Sequence, residues 1–350
     1  MTLRVGSLVF DTWQGLGVLA RSFYDNGVVT DVMVVEHGRR PSNRDWYPNS
    51  LRISNLNAPY QVELMKGFCL TCDVMLFFET PFCWELLDYC RSRGVKTALM
   101  VMYECMPKVL PAQPDLFLCP SLLDLSYYPP AKPIIGDGIV IMGRKSIYIS
   151  VPVDVQWRQR TRAEVFVHNA GHGGLKGRNG TKELLEAIPL VKSPAKFVIR
   201  SQDTAPWDEG IASRTKNCVV IGGTQRYESL YQDGDVFLFP EKFNGLSLPL
   251  QEARAAGMLV MSTVRFPMNT WLPGEPLIPR SSTRTNEVSP RCNSFEEAIV
   301  DPKDIAEKID EWYGRDISAY SLQGKRWAEE NSWAVLKPRY LEVLESLVRS

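Results

Sequence analysis

Short apolar runs alternate with longer amphipathic stretches along most of the chain, and this alternation constrains the fold more than any other feature. Residues 3–10, 29–36, 73–78, 95–102, 115–119 and 147–151 read as strands. Several are almost uninterrupted in apolar residues, as in parallel strands covered by helices on both faces. Gly15-Leu16-Gly17 opens a helix that runs to Tyr24, and residues 84–93 form another. The pattern then restarts, with strands over 164–168, 196–200, 219–221, 236–239 and 258–262. Helices fall over 181–190, near 227–231 and over 249–256. Two successive α/β units predict two doubly wound, Rossmann-like domains facing a cleft, with ligands outside the carboxyl ends of the strands. The first domain is assigned to residues 1–155 and the second to 156–334. The stretch 152–161, with its Pro, Asp and Arg residues, reads as the linker, and residues 305–348 as an amphipathic helical tail.

The 350 residues, 45% of them hydrophobic, suffice for two such cores. Lys plus Arg equals Asp plus Glu at 40 each, so no overall basic field draws the chain to nucleic acid. The first apolar run contains Arg4 and ends at Asp11, and no later run reaches the roughly 20 apolar residues of a spanning helix. The start also lacks a signal-peptide pattern. The expectation is a cytoplasmic protein with no membrane span. Cys69 and Cys72 form a C-x-x-C pair, but no second pair follows at zinc-site spacing. All eight cysteines read as reduced core residues.

Two segments carry chemistry. The first, residues 235–262, is a buried strand ending at Pro240, a loop through Asn244 and Gly245, a helix carrying Glu252, and a stop at Gly257 before the next strand. The N–H groups opening such a helix are unpaired within it and sit at the positive end of its dipole. Gly245 permits close approach, so Gly245, Leu246, Ser247 and Leu248 form a candidate diphosphate seat. Glu252 lies within two turns and is a candidate acceptor for ribose hydroxyls. A plain strand-loop-helix with a solvated glutamate is the alternative at this point.

The second segment, residues 167–181, follows a strand and precedes a helix. Its glycines, including Gly173 and Gly174, surround His168, His172, Lys176 and Arg178. Glycines let amides line a phosphate while the cations supply charge. The Walker pattern is absent. His168 and His172 stand at i and i+4, but the glycines disfavour a helix and no Glu lies between them. Hydrogen bonding to donor or acceptor is expected rather than metal binding.

Together these segments resemble the retaining family-four glycosyltransferases of GT-B fold. Glu252-Ala253 takes the second-glutamate position of that family's loop signature, and Gly257 its closing glycine. The first glutamate falls on Asn244, a departure at the residue that contacts the transferred sugar in the family; Glu241 lies three residues earlier. Leu184-Leu185-Glu186-Ala187 aligns the glycine-rich element and places Asn179 on the usual lysine, with Arg178 just before it. The resemblance implies diphosphate binding by Arg178 and Lys176, aided by His172, Gly173 and Gly174. It implies approach of donor and acceptor at Gly15 and Gly17. Glu104 and Asn244 are the candidate catalytic residues. Trp13, Glu79 and Tyr103, on loops after strands, are the candidate acceptor contacts. Ser332-Trp333 resembles the family's lead into a last helix, here 335–350, that packs back on the first domain. The likeness rests chiefly on residues 164–262 and is faint in 1–150.

The implied activity is hexosyl transfer from a nucleotide sugar to a glycan, small molecule or other acceptor, with retention and without a metal cofactor. One alternative is a phage-type enzyme acting on a hydroxymethylated DNA base, with His37, Arg39, Arg40 and Arg44 near phosphates and Trp46 and Tyr47 stacking on bases. Another, prompted by Asn244, is a non-catalytic nucleotide-sugar-binding protein.

Overall fold

The computed structural model describes residues 2–36, 38, 41–54, 58–130, 134–136, 139–141, 145–171, 177–202, 217–223 and 227–349. The chain divides into two compact units. One comprises Met1–Val151, Val288–Asn293 and Trp333–Ser350, the other Pro152–Glu287 and Ser294–Ser332.

The first unit is built on β1 (Val5–Val9), β2 (Asp31–Val35), β3 (Arg52–Ile53), β4 (Val74–Glu79), β5 (Lys96–Val101) and β6 (Leu116–Cys119). A small hairpin, β7 (Ile134–Gly136) and β8 (Ile139–Ile141), precedes β9 (Ser146–Tyr148). The main sheet has the order β3-β2-β1-β4-β5-β6-β9. Every pairing in it is parallel. Strand order therefore reverses between β1 and β4. The last helix, Trp333–Arg349, is stapled to this unit. The Trp333 indole donates to Ser22 Oγ at 2.8 Å and the Tyr340 hydroxyl to Ser150 O at 2.8 Å. Both rings meet the fully buried Phe23 edge-on, with centroids 4.9 Å away.

The sequence reading lacks β3, the helix Pro59–Cys69 and the helix Leu122–Tyr127. The first two have a weak pattern for a physical reason. Strand β3 is two residues long, and only Met65 and Cys69 of the Pro59–Cys69 helix are buried. Cys69 and Cys72 are both buried, and all eight cysteines are free.

The second unit contains β10 (Val165–Gly171), β11 (Lys196–Ser201), β12 (Cys218–Gly222), β13 (Val236–Phe239) and β14 (Leu259–Ser262). They form a parallel sheet ordered β12-β11-β10-β13-β14. An antiparallel pair, β15 (Ser282–Glu287) with β16 (Ser294–Ile299), lies outside it. Side chains alternate across a strand, so both faces can be covered. Phe166 and Leu238 pack on one face with Leu184, Ile305 and Ile309. Val167, Phe237 and Phe239 pack on the other with Leu250 and Ala253. The region expected as a helix near 227–231 is a single 3-10 turn, Tyr227–Ser229. The expected helix over 181–190 is a helix over Thr181–Ala187 that tightens into a 3-10 turn at Ile188–Leu190.

The stretch read as a linker is packed rather than free. The Arg160 side chain is buried and donates to the carbonyls of Gly234 at 3.0 Å and Tyr231 at 2.5 Å, and also to Ala256. Three carbonyls left over at strand and helix ends are thereby satisfied by one guanidinium. Among the described residues no helix is long and apolar enough to cross a membrane.

Gly257 closes the helix Leu248–Ala255 in a left-handed conformation, φ 86°. A Cβ there would lie 2.5 Å from Arg158 O and 2.7 Å from Trp157 Nε1. Gly257→Ala is expected to destabilise the fold by about 2–4 kcal/mol, from left-handed strain plus this backbone clash. Denaturant unfolding measures it, and an unchanged midpoint contradicts the account.

Candidate functional site

In an open α/β sheet, a crevice forms outside the carboxyl ends of the two strands where strand order reverses. In the second unit those strands are β10 and β13. The chain leaves β10 into the glycine-rich segment and returns through Arg178, Asn179 and Gly180. It leaves β13 into the loop 240–247. Gly180 sits at φ 73°, and a Cβ on it would lie 2.1 Å from Pro240 O, so only glycine lets the two segments meet. The Lys242 amide donates to Arg178 O at 2.7 Å, and the Arg178 guanidinium lies 5.6 Å from the Phe243 ring centroid. The two segments singled out in the sequence are thus brought together, with exposed Arg178 beside the loop. Asn179 turns back and donates to Ala170 O at 3.1 Å. His172, Gly173, Gly174 and Lys176 lie outside the described residues.

The loop is organised by Glu241, which is completely buried. Its Oε1 accepts from Asn244 Nδ2 at 2.6 Å and its Oε2 from Ser247 Oγ at 2.6 Å. Asn244 Oδ1 in turn accepts from the amides of Leu246, at 3.1 Å, and Ser247, at 3.0 Å. This corrects one expectation. The Leu246 and Ser247 amides do not point out toward a diphosphate, because the short Asn244 side chain reaches back and takes them. Leu250 and Gln251 donate to Ser247 O, and Pro249 has no N–H. That leaves Leu248 as the N–H of the first helical turn not taken up within the loop, among the described residues. Ser247 precedes it at φ 47°, a left-handed conformation costly for a residue with a Cβ. The Glu241 hydrogen bond holds it there.

Burial pushes the Glu241 carboxyl up to about 7, against the pull of Arg178, of the Ser247 and Asn244 hydrogen bonds and of Arg265. Arg265, buried just after β14, is absent from the sequence reading. Nothing in its flanking residues marks it, since only the fold brings it near Glu241.

Glu252 is buried on the same helix. Its Oε1 accepts from the Tyr227 hydroxyl at 2.6 Å and its Oε2 from the Tyr231 hydroxyl at 2.5 Å. It is therefore a hydrogen-bonded core carboxylate, not a solvated one. Burial raises its pKa, opposed by the two tyrosines.

His168 also departs from expectation. It is fully buried, with Nδ1 2.8 Å from Leu238 O and Nε2 2.8 Å from Thr181 Oγ1. Burial lowers its pKa to about 4, so the neutral ring ties β10 to β13 and to the start of the helix Thr181–Ala187. It is placed to hold the scaffold, not a ligand.

In the first unit the reversal lies between β1 and β4. Gly15 and Gly17 open the helix Gly15–Asp25 after β1. A Cβ on Gly17 would lie 2.2 Å from Thr12 O, so the helix closes tightly on the preceding turn. Trp13 is exposed and meets Trp46 edge-on at 4.8 Å. Glu79 ends β4 at φ 65°, and its Oε1 accepts from Cys105 Sγ at 3.3 Å. Phe82 on the next loop meets Phe10 edge-on at 4.9 Å. The loops after β1 and β4 thus flank this crevice, and the loop after β5 joins them through Cys105.

Glu104 and Tyr103 are more deeply placed than expected. Glu104 is buried, and its charge helps to raise neighbouring Asp124, which burial chiefly pushes up to about 7. Tyr103 is buried and stacks on Tyr127, centroids 3.5 Å apart. Glu79, at the end of β4, is half-buried by comparison. For the DNA reading, Tyr47 is 1% exposed and packs on Tyr24, so it offers no face to a base. Arg44 lies 3.7 Å from Glu36. His37, Arg39 and Arg40 lie outside the described residues.

The loops that leave β10 and β13 fall within the stretch of the chain that a family model matches. Residues 170–272 match the family described as "Glycosyl transferases group 1". Comparison with curated protein sequences gives no match. Among solved structures, the chain is similar to a glycosyltransferase from Rickettsia africae ESF-5 at TM-score 0.67 and 11% identity, covering 100% of this chain and 99% of that one. It is similar to HepE from Anabaena, solved with UDP and glucose, at TM-score 0.64 and 8% identity, covering 99% and 100%. Sucrose-phosphate synthase from Thermosynechococcus elongatus gives TM-score 0.64 and 12% identity, covering 99% of each. The architecture is that of GT-B glycosyltransferases, with two Rossmann-like α/β domains.

The raised Glu241 pKa has a measurable sign. Between about 4.5 and about 7 the folded chain keeps a proton that the unfolded chain has released. This carboxyl's contribution to stability is full below about 4.5 and is lost as pH rises through about 7. Glu241→Gln carries no such proton. Its stability relative to the natural chain should rise by on the order of 2–3 kcal/mol from pH ~4.5 to ~7.5. Urea unfolding of both at the two pH values checks this, and a pH-independent difference contradicts it.

Proposed function

We propose that the protein is a glycosyltransferase that transfers a hexose from a nucleoside diphosphate donor, and that the donor's diphosphate sits in the crevice between β10 and β13. The observation that carries the reading is the junction of Arg178 with the loop of Glu241, Asn244 and Ser247, at the switch point of the segment that matches the glycosyltransferase family. Arg178 supplies the cation and the Leu248 amide the dipole end, both preorganised where charge develops on the leaving diphosphate. Two neighbours, HepE and the pneumococcal O-GlcNAc transferase GtfA, were solved with UDP and a sugar, which makes a UDP-hexose the first donor to test.

Retention of anomeric configuration follows from the family-four resemblance. Asn244 is the candidate for the transferred sugar. Its Oδ1 and one N–H are occupied within the loop, so its remaining N–H is the group it offers. Glu79, at the end of β4, and Trp13, on the loop after β1, are assigned to the acceptor side in place of Glu104.

A second reading, nucleotide-sugar binding without transfer, is favoured by the use of Asn244 Oδ1 to cap the loop. Release of nucleoside diphosphate from a panel of UDP-, GDP- and ADP-hexoses separates the two, because a binding protein releases none. In the transfer reading, Arg178→Ala weakens nucleoside diphosphate binding by about 10- to 150-fold, the equivalent of a charged hydrogen bond of about 1.5–3 kcal/mol. Because Arg178 is exposed, the melting temperature should fall by only a few degrees, the cost of its contact with Phe243. Calorimetry measures the affinity, and equal binding by the variant removes Arg178 from the site.

A further inference from the structure

The Glu252 carboxylate lies four residues into a helix whose first turn flanks the candidate diphosphate seat, about 6 Å along the axis at 1.5 Å per residue. In a nucleoside diphosphate the group next to the diphosphate is the ribose. Side-chain carboxylates that read ribose do so by accepting hydrogen bonds from its hydroxyls. Here both carboxylate oxygens already accept from phenols, Tyr227 at 2.6 Å and Tyr231 at 2.5 Å.

Tyr231 is held in place by its surroundings. Tyr231 is 3% exposed and packs its ring on Phe237, centroids 5.8 Å apart. The backbone on either side is gripped by two buried guanidiniums, Arg160 on Tyr231 O at 2.5 Å and Arg200 on Leu230 O at 3.2 Å. Tyr231 is thus a built part of the core, and half-buried Tyr227 is tied to that core through its hydrogen bond to buried Glu252.

We propose that this site does not require ribose hydroxyls and takes 2′-deoxyribonucleoside diphosphate donors as readily as ribonucleoside diphosphate donors. A site discriminates against a substrate lacking a hydroxyl because its own buried polar partner is then left unpaired. Tyr227 and Tyr231 remove that penalty, since Glu252 is paired with or without the ribose. The inference rests on the donor reading above and names the nucleotide class of that same site.

The test is calorimetry on the whole protein with matched pairs, UDP against dUDP, GDP against dGDP and ADP against dADP. For the base that binds best, the two members of the pair should agree within about threefold. Removing the phenols should create discrimination. In Tyr227→Phe, and more so in Tyr227→Phe with Tyr231→Phe, the ribonucleotide should bind about tenfold or more tightly than its deoxy partner, because Glu252 then needs the ribose. Tyr227→Phe alone keeps the test open if the double variant folds poorly. A tenfold or greater ribose preference in the natural chain overturns the inference while leaving the donor reading standing. So does an unchanged ratio in the Phe variants. Absence of binding by every pair overturns the donor reading and the inference together.

Discussion

A buried carboxyl with two short hydrogen bonds holds the crevice of the second unit in shape. Glu241 anchors Asn244 and Ser247, Asn244 caps two amides, and Ser247 is kept in a left-handed turn that aims the helix Leu248–Ala255 at the carboxyl ends of β10 and β13. Leaving such a group unpaired in a dry interior would cost several kcal/mol, so the loop has little freedom to rearrange. Everything assigned to the donor depends on that turn. It places Leu248, it sets where Asn244 faces, and through Gly180 against Pro240 it fixes the approach of Arg178.

Much of this fold is legible in the sequence because its signals are local. Parallel strands buried on both faces read as apolar runs, and β13 is recovered residue for residue from Val236–Phe239. The glycine stop is legible for the same reason, since Gly257 meets a conformational demand set by its own turn. What the sequence hides is who partners whom. Glu241 shows in the sequence only as a nearby carboxylate, and neither its burial nor its bonds to Asn244 and Ser247 can be seen there. The position of Glu252 predicts a ribose-facing carboxylate, but it does not reveal that Tyr227 and Tyr231, more than 20 residues away, donate to its two oxygens. His168 looked like a ligand because it sits among glycines, yet strand alternation turns it inward onto Leu238 and Thr181.

The first unit shows the converse. Its strands were predictable, but its loops carry no motif, and only the topology ranks them. The reversal between β1 and β4 brings forward the loops of Trp13 and Glu79. It sets back Glu104, which looked accessible because it follows a strand but is buried with Asp124. A polar residue after a strand is therefore weaker evidence for a site than a polar residue at the switch point. Glu79 adds a left-handed backbone at that point, a cost that persists only where surrounding structure enforces it.

The central claim is that the crevice between β10 and β13 seats the diphosphate of a nucleotide donor. A crystal structure of the protein with a bound nucleoside diphosphate tests it most directly. The account predicts diphosphate oxygens within hydrogen-bond reach of the Arg178 guanidinium and the Leu248 amide, with the Glu241–Asn244–Ser247 network intact beneath them. A nucleotide bound elsewhere, or a diphosphate in this crevice that meets neither group, would contradict it.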